Sequence, residues 1–148
     1  MNDTYVELNE IPIMRVKADM KGKGPSAAMD LLEAKLPTLK GRKFYGVFHE
    51  TPDGEEYYAC VARIDADDPG KMQLDTGVIP GGIYARRKIL DWEKKIRDGQ
   101  LPQLYQELVK AHDIDQTRPS IEFYRSQTEL QLFVPIRSSP TIAHQDPA

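Results

Sequence analysis

The chain has 148 residues, 40% apolar and 29% charged, which is the size and make-up of one globular domain with a full core. A formal net charge of −3 leaves no basic footprint, so direct nucleic-acid binding is not expected. No run approaches the roughly 18 consecutive apolar residues that span a bilayer, and the start lacks a basic-then-apolar leader, so no membrane role and a cytoplasmic location are expected.

In chain order, Ile11-Pro12 opens a strand through Val16. A polar stretch and Pro25 then precede a helix over 26–39, in which Ala28, Leu31, Leu32, Leu36 and Leu39 keep the helical apolar spacing. A hairpin follows, 42–49 and 56–64, turned by Pro52-Asp53-Gly54. Ile79-Pro80 opens a further strand through Arg86. A second helix spans 102–112, with Leu104, Tyr105, Leu108 and Val109 on one face. The closing hairpin pairs 120–126 with 129–136. Trp92 falls between strand and helix, with its placement open. The polar, proline-containing end, 138–148, is expected to be a disordered tail.

This order is β-α-β-β twice over. An ungapped match sets 57–64 against 129–136, and Phe44-Tyr45 against Phe123-Tyr124. Leu130, Leu132, Val134 and Ile136 alternate and mark the helix-facing side of the last strand. Ile121 and Phe123 are the natural apolar pair on its neighbour, which turns Glu122 and Tyr124 to the helix-free face beside Phe133. Carried through the repeat, Phe44, Gly46 and Phe48 face the helices and Tyr45 faces away. By the same match Tyr58, Cys60, Ala62 and Ile64 face the helices and Tyr57 faces away. The helix-free face then gathers Tyr45, Tyr57, Tyr124 and Phe133 around Glu122. A glutamate on a wet sheet face is ordinarily just solvated. Large aromatics beside it are costly there, because burial stabilises apolar area by roughly 25 cal/mol per Å². An apolar ligand, or a homodimer formed through this face, accounts for them.

No metal or cofactor is expected. His49, His112 and His144 lack ligand spacing, and Asp65, Asp67 and Asp68 lack the order of a calcium loop. Gly81-Gly82 is no phosphate loop. Cys60 sits in an apolar run, as a small buried hydrophobe does.

The stretches 39–48 (LKGRKFYGVF), 56–62 (EYYACVA), 79–86 (IPGGIYAR) and 121–126 (IEFYRS) resemble the GyrI-like small-molecule-binding domain. This is the effector-binding domain of many AraC- and MerR-type transcription regulators, found also as a free-standing protein. The resemblance runs from about residue 4 to 137 and is specific by the order of its blocks. It implies a single domain over 1–137, an α+β fold of duplicated β-α-β-β modules related by a pseudo-twofold. They form a curved antiparallel sheet with two helices on one face and a ligand groove on the other. It places Glu122 at the base of the pocket, with Tyr45, Tyr57, Tyr84, Trp92 and Tyr124 as liners. With only a handful of residues before the first strand, a free-standing member without a DNA-binding domain is expected.

The function implied is multidrug-like binding of lipophilic cationic or aromatic small molecules, for sequestration or for sensing through a separate regulatory partner. A carboxylate among aromatics favours a cation, and aromatic faces add cation–π attraction. An alternative is hydrolysis of reactive electrophiles, with Glu122 as general acid or base and Tyr124 orienting water. A protein-interaction role, such as shielding gyrase from toxins, is the third.

Overall fold

A computed structural model describes residues 3–138 as an α+β fold of eight strands and four helices. In chain order these are β1 (Thr4–Leu8), β2 (Ile11–Lys17), α1 (Gly24–Ala34), β3 (Phe44–Thr51), β4 (Gly54–Ala62), α2 (Pro69–Met72) and β5 (Asp75–Ile79). There follow β6 (Gly82–Leu90), α3 (Trp92–Arg97), α4 (Leu101–Lys110), β7 (Ser120–Tyr124) and β8 (Glu129–Pro135). The polar end from 139 onward lies outside the described residues. Two compact units share the chain. Glu10–Ile79 forms a first module, and the segments on either side of it form a second.

The first module lays its strands in the order β3-β4-β2-β5, and the second in the order β7-β8-β6-β1. Pairing within each is antiparallel. The expected β-α-β-β path is therefore present twice, and each module carries a fourth strand that the sequence did not announce. β1 leads directly into β2 yet pairs with β6, while β5 leads into β6 yet pairs with β2. The repeat is thus β-β-α-β-β with its leading strands exchanged. Buried charge fastens β1: Arg87 of β6 donates from Nε to Asp3 Oδ1 at 2.7 Å and from Nη2 to Oδ2 at 3.1 Å. His112 Nε2 lies 2.8 Å from the same Oδ2, and Tyr5 stands edge-on to the imidazole. Burial pushes the Asp3 carboxyl up, but the hydrogen bonds from Arg87 and His112 outweigh it and hold Asp3 below the ordinary value.

Both long helices start at a proline, Pro25 and Pro102, where the missing N–H costs nothing. α1 stops at Ala34, short of the expected 39, because Pro37 disfavours helical geometry in the residue before it. Ala28 and Leu32 bury against β2 and β4 with Met14, Tyr57, Ala59 and Val61. In the second module Leu108 of α4 packs with Ala85, Ile89, Leu130, Leu132 and Val134.

An arginine locks each module at the same place. Arg42, two residues before β3, forks onto Asp67 at 3.0 and 2.7 Å and donates to the Ala62 carbonyl at the end of β4. Arg118, two residues before β7, donates to Asp115 at 3.0 Å and to the Ile136 carbonyl, just beyond β8, at 2.9 Å. Gly82 has a φ of 136°, and a Cβ there would strike the Arg118 guanidinium, so glycine is required twice over. Alignment on the two arginines runs without a gap from α1 through β3 and from α4 through β7. Leu32 then corresponds to Leu108, Met29 to Tyr105, Phe44 to Ser120, Gly46 to Glu122 and Phe48 to Tyr124.

That alignment corrects the face assignment. Glu122 lies opposite Leu132 and Tyr124 opposite Leu130, and directly opposed residues share a face. Leu130 and Leu132 pack with Leu108, so Glu122 and Tyr124 face the α4 side, while Ile121 and Phe123 share the other face with Phe133 and Gln131. In the first module Phe44, Gly46 and Phe48 do lie on the α1 side and Tyr45 away from it. Tyr57 lies with Ala59 and Val61 on the α1 side, the reverse of its expected direction, and Tyr58 and Cys60 lie away. Two causes combine. The match of 57–64 to 129–136 was one residue out of register, which flips every side chain of β4, while that of Phe44-Tyr45 to Phe123-Tyr124 was three out, an error that cancels against the misread face of Phe123. Both faces of β7–β8 are also buried, with Ile121 at 1% exposure and Leu132 at 1%, so apolarity could not tell them apart.

Two outcomes test these locks. The Arg42 and Asp67 side chains are only 4% and 2% exposed. Arg42→Ala leaves Asp67 buried and uncompensated, and a loss of about 3–5 kcal/mol in urea-unfolding free energy is expected. Asp115 accepts from the Thr117 hydroxyl and amide and from Arg118, which hold its carboxyl down at about 2 from an ordinary 3.8. Its folded value is the lower one, so its stabilisation is complete above 3.8 and fades as pH falls toward about 2. Urea midpoints measured through that window should fall less steeply for Asp115→Asn than for the wild type.

Candidate functional site

Strand period two puts Ser120, Glu122 and Tyr124 in one row on the α4 side of β7. Each has a polar tip, and each is tied to a neighbour. The Tyr124 hydroxyl donates to Glu122 Oε1 at 2.7 Å. Ser120 Oγ and the Tyr105 hydroxyl of α4 lie 3.1 Å apart. Trp92, the first residue of α3, stands edge-on to the Tyr124 ring at 5.3 Å and donates from Nε1 to the Ser126 carbonyl at 3.0 Å. Ser120 is buried, whereas Glu122, Tyr124, Tyr105 and Trp92 are half-buried and within reach of solvent. The second module therefore carries a strip with a carboxylate at its centre, hydroxyls on both sides and aromatic rings at one end.

The first module is an internal control for this strip. At the positions of Ser120, Glu122 and Tyr124 it holds Phe44, Gly46 and Phe48, and at the position of Tyr105 it holds Met29. Phe44, Phe48 and Met29 pack against that module's apolar cluster. The same architecture is thus built without any polar group at these four places. Placing a carboxylate and a hydroxyl pair there instead costs desolvation that the fold does not require.

The other residues singled out from sequence part company. Tyr84 is fully buried, lies on the face away from α4, and donates to the Pro80 carbonyl at 2.6 Å. Burial pushes its phenol up, and the Arg118 guanidinium covers its ring 4.9 Å from the centroid. Phe133 meets Tyr84 edge-on at 6.3 Å on that same face. Tyr45 and Tyr57 belong to the first module and point to opposite sides of its sheet. Tyr57 stacks on Phe48 with centroids 6.2 Å apart, and burial alone raises the Tyr45 phenol. Within the second module, then, Glu122, Tyr124 and Trp92 come together, and Phe133 and Tyr84 lie on the reverse face. Sequence reasoning missed Ser120 and Tyr105. The signal was present: Ser120 precedes Glu122 by one strand period, and Tyr105 lies on the sheet-facing side of its helix.

Among the described residues no cluster of three or more His, Cys, Asp or Glu is placed to hold a metal, and no helix is long and apolar enough to cross a membrane. Cys60 is buried, and burial pushes its thiol up to about 12, so it is not an activated nucleophile.

No protein-family model and no curated protein matches the chain. Solved structures do. The structure of SAV2435 bound to tetraphenylphosphonium has a TM-score of 0.67 at 11% identity, covering 99% of this chain and 98% of its own. A Staphylococcus aureus protein provisionally assigned to transcription regulation scores 0.62 at 11% identity, with 93% and 99% covered. A hydrolase from Listeria innocua scores 0.55 at 11% identity, with 90% of each chain covered. At such identities the likeness is one of fold.

Proposed function

We propose that this chain is a GyrI-like small-molecule-binding protein that takes up lipophilic organic cations at the strip centred on Glu122. The observation that carries the reading is the internal contrast: one module keeps Phe44, Gly46 and Phe48 where the other keeps Ser120, Glu122 and Tyr124. A half-buried carboxylate attracts an organic cation more strongly than one in bulk water does, because less solvent screens the pair. The Trp92 and Tyr124 rings supply apolar area and cation–π attraction for the same ligand. The tetraphenylphosphonium held by SAV2435, on the same fold, is a cation of this chemistry. Few directional groups constrain the ligand, so a range of aromatic cations is accepted. The cellular role follows as sequestration, or as sensing passed to a separate regulatory protein.

A second reading has its own observation. The Tyr124 hydroxyl on Glu122 Oε1 at 2.7 Å is a carboxylate–phenol pair able to position water, and the Listeria innocua neighbour is a hydrolase.

The chain has one tryptophan, and it is Trp92, so its emission reports on this site directly. Tetraphenylphosphonium is expected to quench or shift that emission saturably. Glu122→Gln should weaken its binding by about 1–3 kcal/mol, the scale of a hydrogen bond to a charged group, and weaken neutral triphenylmethanol much less. Equal losses for both compounds would remove the charge from the mechanism. A water adduct of a strained electrophile, formed by wild type and not by Glu122→Gln in mass spectra, would move the assignment to hydrolase. Glu122→Leu is expected to lose cation binding while keeping the near-native far-ultraviolet circular dichroism of a folded chain.

A further inference from the structure

The strip does not end at its carboxylate. Ser120 stands one strand period from Glu122 on the same face, about 7 Å along β7. Its hydroxyl is paired with that of Tyr105, and Ser120 itself is only 7% exposed. The bland account is that this pair simply ties α4 to β7. The first module argues against it, because it brings helix and strand together with Met29 and Phe44 at the corresponding positions, both packed on the apolar cluster. The tie is therefore not needed to dock the helix, and two hydroxyls in place of two apolar side chains are the less stable choice. Moreover, Ser120 lies on the same face of the same strand as Glu122, and each hydroxyl of the pair can donate as well as accept.

We propose that Tyr105 and Ser120 are a second recognition point, and that the preferred ligands are aromatic cations bearing a hydroxyl or similar hydrogen-bonding group about 7 Å from the charge. The charge meets Glu122, the rings meet Tyr124 and Trp92, and the distal polar group joins the Tyr105–Ser120 pair. A symmetric hydrocarbon cation satisfies only the first two contacts. Specificity then comes from the spacing between charge and polar group, since only a ligand with both adds a hydrogen bond at the Tyr105–Ser120 pair. This deepens, and rests on, the cation-binding reading.

The test uses the full chain and three probes: tetraphenylphosphonium, and triphenylphosphonium cations carrying one para-hydroxyphenyl or one ortho-hydroxyphenyl ring. The two hydroxylated cations have the same composition and charge, but only the para isomer holds its hydroxyl a ring's length away. By isothermal titration the para isomer is expected to bind wild type roughly three- to tenfold more tightly than tetraphenylphosphonium, the scale of one net hydrogen bond, and the ortho isomer to show no such gain. Ser120→Ala and Tyr105→Phe should each abolish the gain while keeping tetraphenylphosphonium within about twofold, an internal check that each variant is folded and the carboxylate site intact. A purely structural tie would shift all three cations together. Equal affinity of the para and ortho isomers, or a para gain that survives both substitutions, overturns the second recognition point and leaves the cation site standing. Failure of all three cations to bind wild type overturns both.

Discussion

Arg118 anchors the second module where a single step along the strand matters most. Its guanidinium is shared among the Asp115 carboxylate and the carbonyls of Ile83 and Ile136, at the point where β6 begins and just past the end of β8. Two residues later β7 starts, so this fork sets which residues of β7 fall on the α4 side. With the observed register these are Ser120, Glu122 and Tyr124. A slip of one would exchange them for Ile121 and Phe123 and drive Glu122 into the buried face that holds Phe133 and Tyr84. An uncompensated carboxylate there is expensive enough to exclude the alternative. Arg42 performs the same service for β3, which is why the modules can be compared residue by residue.

The comparison separates what folding demands from what it tolerates. Leu32 and Leu108 occupy the same place and both are fully buried, as a helix docking on a sheet requires. Four other positions change character together, from Met29, Phe44, Gly46 and Phe48 to Tyr105, Ser120, Glu122 and Tyr124. Local departures from an apolar pattern that the fold supports elsewhere are where functional constraint is expected to show. The exchanged strands β1 and β5 point the same way: they complete the sheets without touching the choice of residues on the strip.

Much of this was legible in the sequence. The helical spacing around Leu32 and Leu108, the hairpin turn at Pro52-Asp53-Gly54 and the alternation of Leu130, Leu132 and Val134 all reported local structure that survives in the fold. Glu122 and Tyr124 stood out because charge and aromatics are costly on a wet face, and Trp92 through the family resemblance alone, but the fold sets Glu122 and Tyr124 on the face opposite to the expected one. Other features are invisible to local reasoning. β5, with Asp75, Thr76 and Gly77, has little strand character and is held by pairing with β2 across a long stretch of chain. β1 is fastened by Asp3 to Arg87, a partner no pattern near residue 3 could announce. The direction of Glu122 was misread because Ile121 and Phe123 are apolar for a face that is itself buried. Tyr105 and Ser120 read as ordinary helix and strand residues until the fold set their hydroxyls side by side.

The row of residues crossing the sheet through Glu122 holds a second charged side chain. Register places Arg87 opposite Leu132 on one side and Glu122 opposite Leu132 on the other. Arg87 therefore sits two strand spacings from Glu122 on the same face, about 10 Å from backbone to backbone. Unpaired, it would act on the carboxylate across that distance. Arg87 instead forks onto Asp3, with Glu107 at 3.3 Å, so its positive charge is compensated within its own cluster and its field at Glu122 is largely cancelled. The exchanged strand thus does more than complete a sheet edge. By delivering Asp3 to Arg87 it compensates the buried cation of that row inside the second module itself.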